Sequence, residues 1–317
     1  WIFHPAFQGL YPKIVLGDLY NLSDELFDNG QVRFKDQVST LKSMIVYSDK
    51  ITTVSPTHHL ELLTKEGGMG LEDVLRFRED DFVGILNGID YLEFNPEDDK
   101  NILKEYNLEA VLTGKKANKK ALLKQFNLPV DDAPVFSIVS RITWQKGFEL
   151  VFPAVEALVS KGAKVILLGS GEHQYEEAWE SLRSKYPNNI GIYIGYNDNL
   201  AHKIYAGSDF FLMPSLFEPC GLGQMIAQRY ATLPVVRRTG GLRDSVINFD
   251  GKNLETSNGF GFDAYSVSEM INTCLYAFDI YQNKRIFNKL VRNAIVTDNS
   301  WSKSTKEYMN VYKSLVK

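Results

Sequence analysis

Cysteine is scarce in this sequence: Cys220 and Cys274 are the only two in 317 residues, too few for a chain of this size to depend on a disulfide framework. A reducing compartment is the simplest expectation. Long apolar runs are missing as well. The longest, such as Lys164–Gly169 and Phe210–Pro214, fall far short of the ~20 residues that cross a bilayer, so no membrane partner is expected and the chain reads as soluble. Excess positive charge is also absent. With 35 Lys and Arg against 39 Asp and Glu, the net charge is −4, which gives no global field to hold a nucleic acid and confines any anion site to a local cluster. The chain opens on Trp1 rather than Met, and Trp1-Ile2-Phe3 has neither the basic start nor the apolar core of a signal peptide. The true amino terminus is expected to lie upstream.

Two motif absences narrow the chemistry. No GxGxxG follows the first clear strand and no P-loop occurs, which lowers dehydrogenase and ATPase readings. His4, His58, His59, His173 and His202 show no metal spacing, and neither cysteine has a CxxC partner, so no structural or catalytic metal is expected.

What is present is an alternation. From about Ala133 onward, short apolar runs at Val135–Ser140, Lys164–Gly169, Ile190–Gly195, Phe210–Met213 and Leu233–Val236 alternate with helical patterns. The helical patterns cover Gly147–Ser160, Gln174–Lys185, Leu200–Ala206 and Gly221–Ala231. Nearly continuous apolar strands between amphipathic helices predict an α/β fold whose parallel sheet is covered on both faces. Ligands of such sheets sit beyond the carboxyl ends of the strands. The first ~90 residues offer less: a polar helical stretch over Asp36–Tyr47 and strand-like runs at Asp49–Pro56 and Phe82–Asp90, with His58 and His59 at a helix start after Ser55-Pro56. We read residues 1–92 as the remnant of an amino-terminal domain with its connector, 93–297 as a complete Rossmann-like domain, and 298–317 as an amphipathic terminal helix crossing back to the first domain. Lys115, Lys116, Lys119 and Lys120 read as a solvated helix face.

The strand ends carry the candidate chemistry. Arg141 and Lys146 lie in the loop after the first clear strand, just before Gly147. A rigid guanidinium fork and a mobile ammonium suit a diphosphate; the alternative is two surface cations flanking a helix start. After the fourth strand come Glu218, Pro219, Cys220, Gly221, Leu222, Gly223 and Gln224. There the glycines let an anion approach helix N–H groups, and the carboxylate can accept from sugar hydroxyls. Glu218 as a mere cap is the competing reading. Cys220 is either a reactive thiol near a helix start or a small packing residue. Thr239 and Gly240 repeat the glycine logic after the fifth strand. Tyr196, after the third, is an aromatic plate suited to a nucleobase or to ordinary packing.

Taken together, Thr52–Pro56, Gly84–Asp90, Asn95-Pro96, Ser140-Arg141 with Gln145-Lys146-Gly147, Leu200–His202, Tyr205–Gly207, Phe217–Leu222, Arg229-Tyr230 and Thr239–Leu242 resemble the bacterial glycogen synthase and plant starch synthase family. The resemblance implies a GT-B fold and transfer of glucose from ADP-glucose to the non-reducing end of an α-1,4-glucan, with retained configuration and without a metal or other cofactor. It implies that Arg141 and Lys146 bind the leaving diphosphate and that Glu218 and Asn87 reach the donor sugar. Tyr196 would lie against the adenine, and the backbone of Leu222 to Gln224 would complete the phosphate cradle. A bacterial cytoplasm, or alternatively a plastid stroma, is the implied location.

The sequence also departs from the family. The Lys-Thr-Gly-Gly-Leu loop that opens family members is not found ahead of Trp1, and the sugar-contacting histidine is replaced by Phe3 or displaced to His4. Gly223 stands where many members carry Thr. Part of the active site is therefore expected to be missing, with a nucleotide- or glucan-binding fragment, or a GT-B transferase using UDP-glucose, as alternatives.

Overall fold

The structure is a computed structural model that describes residue 5 and residues 8–316. The expectations for Phe3 and His4 lie outside the described residues. Two compact units divide the chain: Trp1–Asn87 with Ser304–Lys317, and Gly88–Lys303.

In the first unit, β1 (Leu10–Tyr11), β2 (Arg33–Phe34) and β3 (Gln37–Ser39) form a small antiparallel sheet, and β4 (Ile51–Thr53) pairs parallel with β5 (Phe82–Gly84). Short α-helices fill in: α1 (Val15–Asp18), α2 (Glu25–Asp28), α3 (Thr40–Tyr47), α4 (Pro56–Leu62), α5 (Lys65–Gly68) and α6 (Glu72–Phe77). This is richer than two strands and a helix, because strands of two or three residues are too short to show a period in sequence. The stretch expected to be helical from Asp36 is strand until Ser39, whose side chain caps α3 by accepting from Lys42 N. Ser55 caps α4 through His58 N, with Pro56 in the first turn, so His58 and His59 do stand at a helix start. Leu41, Ile45, Ile51, Leu62, Leu71, Leu75 and Phe82 make the core of this unit.

The second unit is built on one parallel sheet: β6 (Val135–Val139), β7 (Lys164–Gly169), β8 (Ile190–Ile194), β9 (Phe210–Met213), β10 (Leu233–Arg237) and β11 (Phe260–Phe262). Their spatial order is β11-β10-β9-β6-β7-β8, and every neighbouring pair is parallel. The five apolar runs read from the sequence are five of these strands; β11, three residues around Gly261, was too short to see. The chain runs outward from β6 to β8, then returns to β9 on β6's other side. That reversal is the topological switch point of the sheet. Helices α7 (Val111–Gln125), α8 (Phe148–Ser160), α9 (His173–Lys185), α10 (Asp198–Gly207), α11 (Gly223–Arg229), α12 (Gly240–Ser245), α13 (Val267–Gln282) and α14 (Lys284–Val296) surround it. A terminal helix, α15, covers Trp301–Leu315.

Helical spacing decides what is buried. On α8, Phe148, Val151, Val155, Leu158 and Val159 recur at three- and four-residue steps and are all buried, each such side chain contributing ~1.5–3 kcal/mol of hydrophobic stabilisation. Leu122 and Leu123 of α7 pack with Val135, Ile166 and Leu168 of the sheet and with Leu200 and Ile204 of α10.

One expectation is corrected here. The lysines of α7 are not a solvated face: Lys115 and Lys119 are each 8% exposed, while Lys116 and Lys120 do face solvent. Lys115 Nζ donates to Tyr205 O, Ser208 O and Thr232 Oγ1. Lys119 Nζ pairs with Asp209 Oδ2 at 2.6 Å and with the Tyr281 hydroxyl at 2.9 Å. A buried ammonium is tolerable only with its donors satisfied, and these acceptors come from segments remote in sequence.

Candidate functional site

Two loops meet at the switch point. The first leaves β6 through Ser140 and Arg141 and makes a single 3-10 turn, Trp144–Lys146, before α8. Gly147 joins the two helical segments at φ 78°, and a Cβ there would stand 2.2 Å from Pro214 O. Only glycine allows both the left-handed backbone and the close approach of the loop that leaves β9. That second loop, 214–222, is laced to the first: Leu216 N donates to Gln145 O at 2.9 Å, and Gln145 Nε2 to Phe217 O at 3.1 Å. Arg237 braces it from β10 by donating to Ser215 O and Leu216 O.

The lacing brings Lys146 and Glu218 together. Lys146 Nζ is 2.5 Å from Glu218 Oε2, with the two side chains 14% and 10% exposed, and Ser215 Oγ donates to the same oxygen at 3.0 Å. They border a cavity of about 300 Å³ whose walls include Arg141, Ser215, Gly221, Leu222 and Gly223, with Tyr205 and Phe211 at its apolar floor. Burial pushes the Tyr205 phenol well above its ordinary range, with the Asp198 charge a smaller contributor, so that floor stays neutral. Arg141 is exposed, its carbonyl accepting from Ser140 Oγ at 3.1 Å, and its guanidinium makes no hydrogen bond or ion pair among the described residues.

A second cavity, about 250 Å³, adjoins the first through Val139, Ser140 and Arg141 and is lined further by Gly169, Ser170, Tyr196, Asn197 and Asp198. Tyr196 stands 87% exposed at its edge. Asn197 caps α10 by accepting from Leu200 N at 3.0 Å, which fixes where the helix begins and the tyrosine loop ends.

Arg141, Lys146, Glu218, Gly221, Leu222 and Gly223 thus surround one cavity, and Tyr196 shares the next with Arg141. Other candidates lie elsewhere. Cys220 is buried. Gln224 is wholly buried, its Nε2 donating to Cys220 O, Gly221 O and Ser245 Oγ, so its side chain braces the turn. Thr239 is buried, and Gly240, at φ 44°, backs the Glu218 loop where a Cβ would meet Glu218 O at 2.1 Å; neither lines either cavity. Asn87 belongs to the first unit, its Oδ1 buried and without a hydrogen bond among the described residues. Ser215, Gln145 and Arg237 were missed as holders of the site. Their partners are mostly backbone carbonyls, which leave no signature in sequence.

The paired charges stand at the switch point of a doubly wound sheet, and residues 119–292 match the family of glycosyl transferases group 1. The chain belongs to that family. Residues 1–77 match the starch synthase catalytic domain. The chain is 45% identical over 311 residues to a glycogen synthase of Clostridium kluyveri, covering 98% of this chain and 65% of that protein. A glycogen synthase of Kosmotoga olearia is 46% identical over 295 residues, 93% of this chain and 62% of that one. Among solved structures, the catalytic domain of starch synthase IV from Arabidopsis thaliana, bound to ADP and acarbose, superposes with a TM-score of 0.90 at 33% identity, covering 98% of this chain and 65% of that one. A glycosyltransferase from Rickettsia africae shares the fold at a TM-score of 0.61 and 18% identity, over 87% of this chain and 67% of that one. The fold class is GT-B, and the chain spans about two thirds of the length of the relatives it matches.

Proposed function

We propose that the protein is a glycogen or starch synthase, transferring glucose from ADP-glucose to the non-reducing end of an α-1,4-glucan with retention of configuration. The observation that carries this reading is the convergence of Lys146, Glu218 and Arg141 on one cavity at the switch point of the sheet. The glycogen synthases at 43–46% identity support the acceptor class. The ADP held by the starch synthase IV relative supports the donor nucleotide. A cytoplasmic setting agrees with the bacterial relatives and with the absence, among the described residues, of a helix long and apolar enough to cross a membrane.

In this reading, negative charge grows on the diphosphate as the bond to the glucose C1 breaks. Arg141 and Lys146 stand ready to receive that charge, with the backbone amides of the Gly221–Gly223 turn beside them. Glu218 then turns from Lys146 to the sugar hydroxyls as the lysine takes up phosphate oxygen. The acceptor hydroxyl attacks C1 from the face the diphosphate leaves, and its proton passes to the departing phosphate oxygen. No ion is required in the step, because fixed cations supply the charge. Tyr196 covers the adenine at the second cavity.

Incorporation of labelled glucose into glycogen, with ADP-glucose and UDP-glucose in competition, tests the reading. Transfer from ADP-glucose by the full-length protein that falls sharply in Glu218→Gln is the expected result. Binding of nucleotide and maltooligosaccharide without any transfer, or preference for the uridine donor, would overturn it.

A further inference from the structure

His202 is held in an arrangement the transfer reaction does not call for. Its side chain is 2% exposed, and Nδ1 lies 2.8 Å from Asp99 Oδ2 and 3.1 Å from the Tyr230 hydroxyl. The Tyr230 hydroxyl donates to the same Asp99 oxygen at 2.5 Å. Phe94 stacks on the imidazole, with centroids 5.0 Å apart and planes 18° from parallel. An Asp99 carboxylate behind Nδ1 assigns the hydrogen to that nitrogen, so the ring is fixed in both plane and tautomer and Nε2 is left with its lone pair.

Nε2 makes no hydrogen bond among the described residues; the nearest charge is Asp198 Oδ2 at 3.9 Å. Asp198 stands four residues earlier on α10, hence on the same face. Glu93 arrives from the connector, and its carboxylate, that of Asp198 and the His202 ring each place a donor atom within 4.8 Å of the others. Both carboxylates are exposed, and neither makes a hydrogen bond among the described residues.

We propose that His202 Nε2, Asp198 and Glu93 bind a borderline divalent cation of the zinc type, with Asp99 fixing the imidazole from behind. One nitrogen and two carboxylates suit Zn²⁺, Co²⁺ or Mn²⁺ better than Mg²⁺ or Ca²⁺, which take oxygen. A carboxylate hydrogen-bonded to the far nitrogen of a ligating histidine is the common support of such sites. Ligand bonds of ~2.0–2.2 Å put donor atoms roughly 3.3 Å apart, a contraction that two solvent-facing carboxylates can make by rotation. The carboxylates of Asp99, Asp198 and Glu93 gather around the one ring. Their negative field draws a cation. The ion ties the start of α10 to the connector, two residues beyond Tyr196. It takes no part in glucose transfer, and the proposal does not rest on that reading.

The test uses tag-free protein carrying His173→Asn, which removes the exposed His173–Glu177 pair, 3.1 Å apart, as a rival site. Zn²⁺ is titrated by calorimetry and Co²⁺ by visible absorption, and melting is followed with and without Zn²⁺. The comparison protein adds Glu93→Gln and Asp198→Asn, exposed positions where the fold tolerates change. One equivalent of Zn²⁺ that raises Tm, with affinity falling ~100-fold or more in the double variant, is the expected result. A change smaller than about tenfold, or no saturation up to ~1 mM Zn²⁺, would overturn the proposal. Chelation is expected to lower Tm and leave kcat unchanged.

Discussion

At the two ends of one parallel sheet, lysine meets carboxylate at nearly the same distance and burial, with opposite consequences. At the amino ends, Lys119 and Asp209 lie 2.6 Å apart, each side chain 10% exposed. Lys119 adds the Tyr281 hydroxyl, Asp209 adds Val135 N, and neighbouring Lys115 has three oxygens. At the carboxyl ends, Lys146 and Glu218 lie 2.5 Å apart, 14% and 10% exposed. Each pair borders a cavity, of about 330 Å³ at the amino ends and about 300 Å³ at the carboxyl ends, but the Lys146 ammonium makes a single hydrogen bond among the described residues, to Glu218, where Lys119 makes two. An ammonium has three donors. Distance, burial and neighbouring open volume do not tell a pair that holds the fold from the one proposed to meet a ligand; the number of unspent donors does.

The comparison can be broken from either end. The largest effect belongs to Asp209→Ala, which strands the Lys119 charge and should cost ~3–5 kcal/mol in urea denaturation, while the folded fraction retains its transfer rate. Arg141→Ala reverses the outcome. Its stability should hold within ~0.5 kcal/mol, whereas transfer should fall by about 10- to 150-fold, the worth of a charged hydrogen bond in the transition state. If both variants lost stability alike, the distinction between the two ends would collapse.

The amino end can also be sharpened by pH. Burial drives the Lys115 ammonium down from 10.5 to about 7, the Asp209 and Lys119 charges contributing less. The unfolded chain keeps that proton until near its ordinary pKa, so between about pH 7 and 10.5 it binds more protons than the folded protein, and stability rises with pH. Urea midpoints over this range should show a positive slope, at most ~1.4 kcal/mol per pH unit, that disappears in Lys115→Met. The smallest effect is expected from Ser215→Ala, which frees Glu218 from one donor. A loss of ~0.5–1.5 kcal/mol, read as a few-fold lower kcat/KM with the urea midpoint nearly unmoved, would fit an orienting role.

The same contrast explains what could be read in advance. Lys164–Gly169 and Phe210–Met213 were legible to the residue, because a strand covered on both faces shows itself as an unbroken apolar run. The loops after β6 and β9 were legible because glycine and proline mark where a backbone must turn or come close. Lys115 and Lys119 were not, since lysine ordinarily faces water, and their burial depends on oxygens about 90 residues and more away. The His202 constellation escaped for a related reason: spacing reveals the Asp198 and His202 pair on one helix turn, but not Glu93 or Asp99 from the connector. Short strands such as Leu10–Tyr11 carry no period at all.

Gly147 and its contact with Pro214 have a wider consequence. Because the two loops are fastened to each other, the proposed transfer would ask for side-chain turns at Lys146 and Glu218 but for little backbone rearrangement to meet a developing charge. A bulkier residue at that position would leave every charged group in the sequence and still slow the chemistry, since the site would first have to assemble itself.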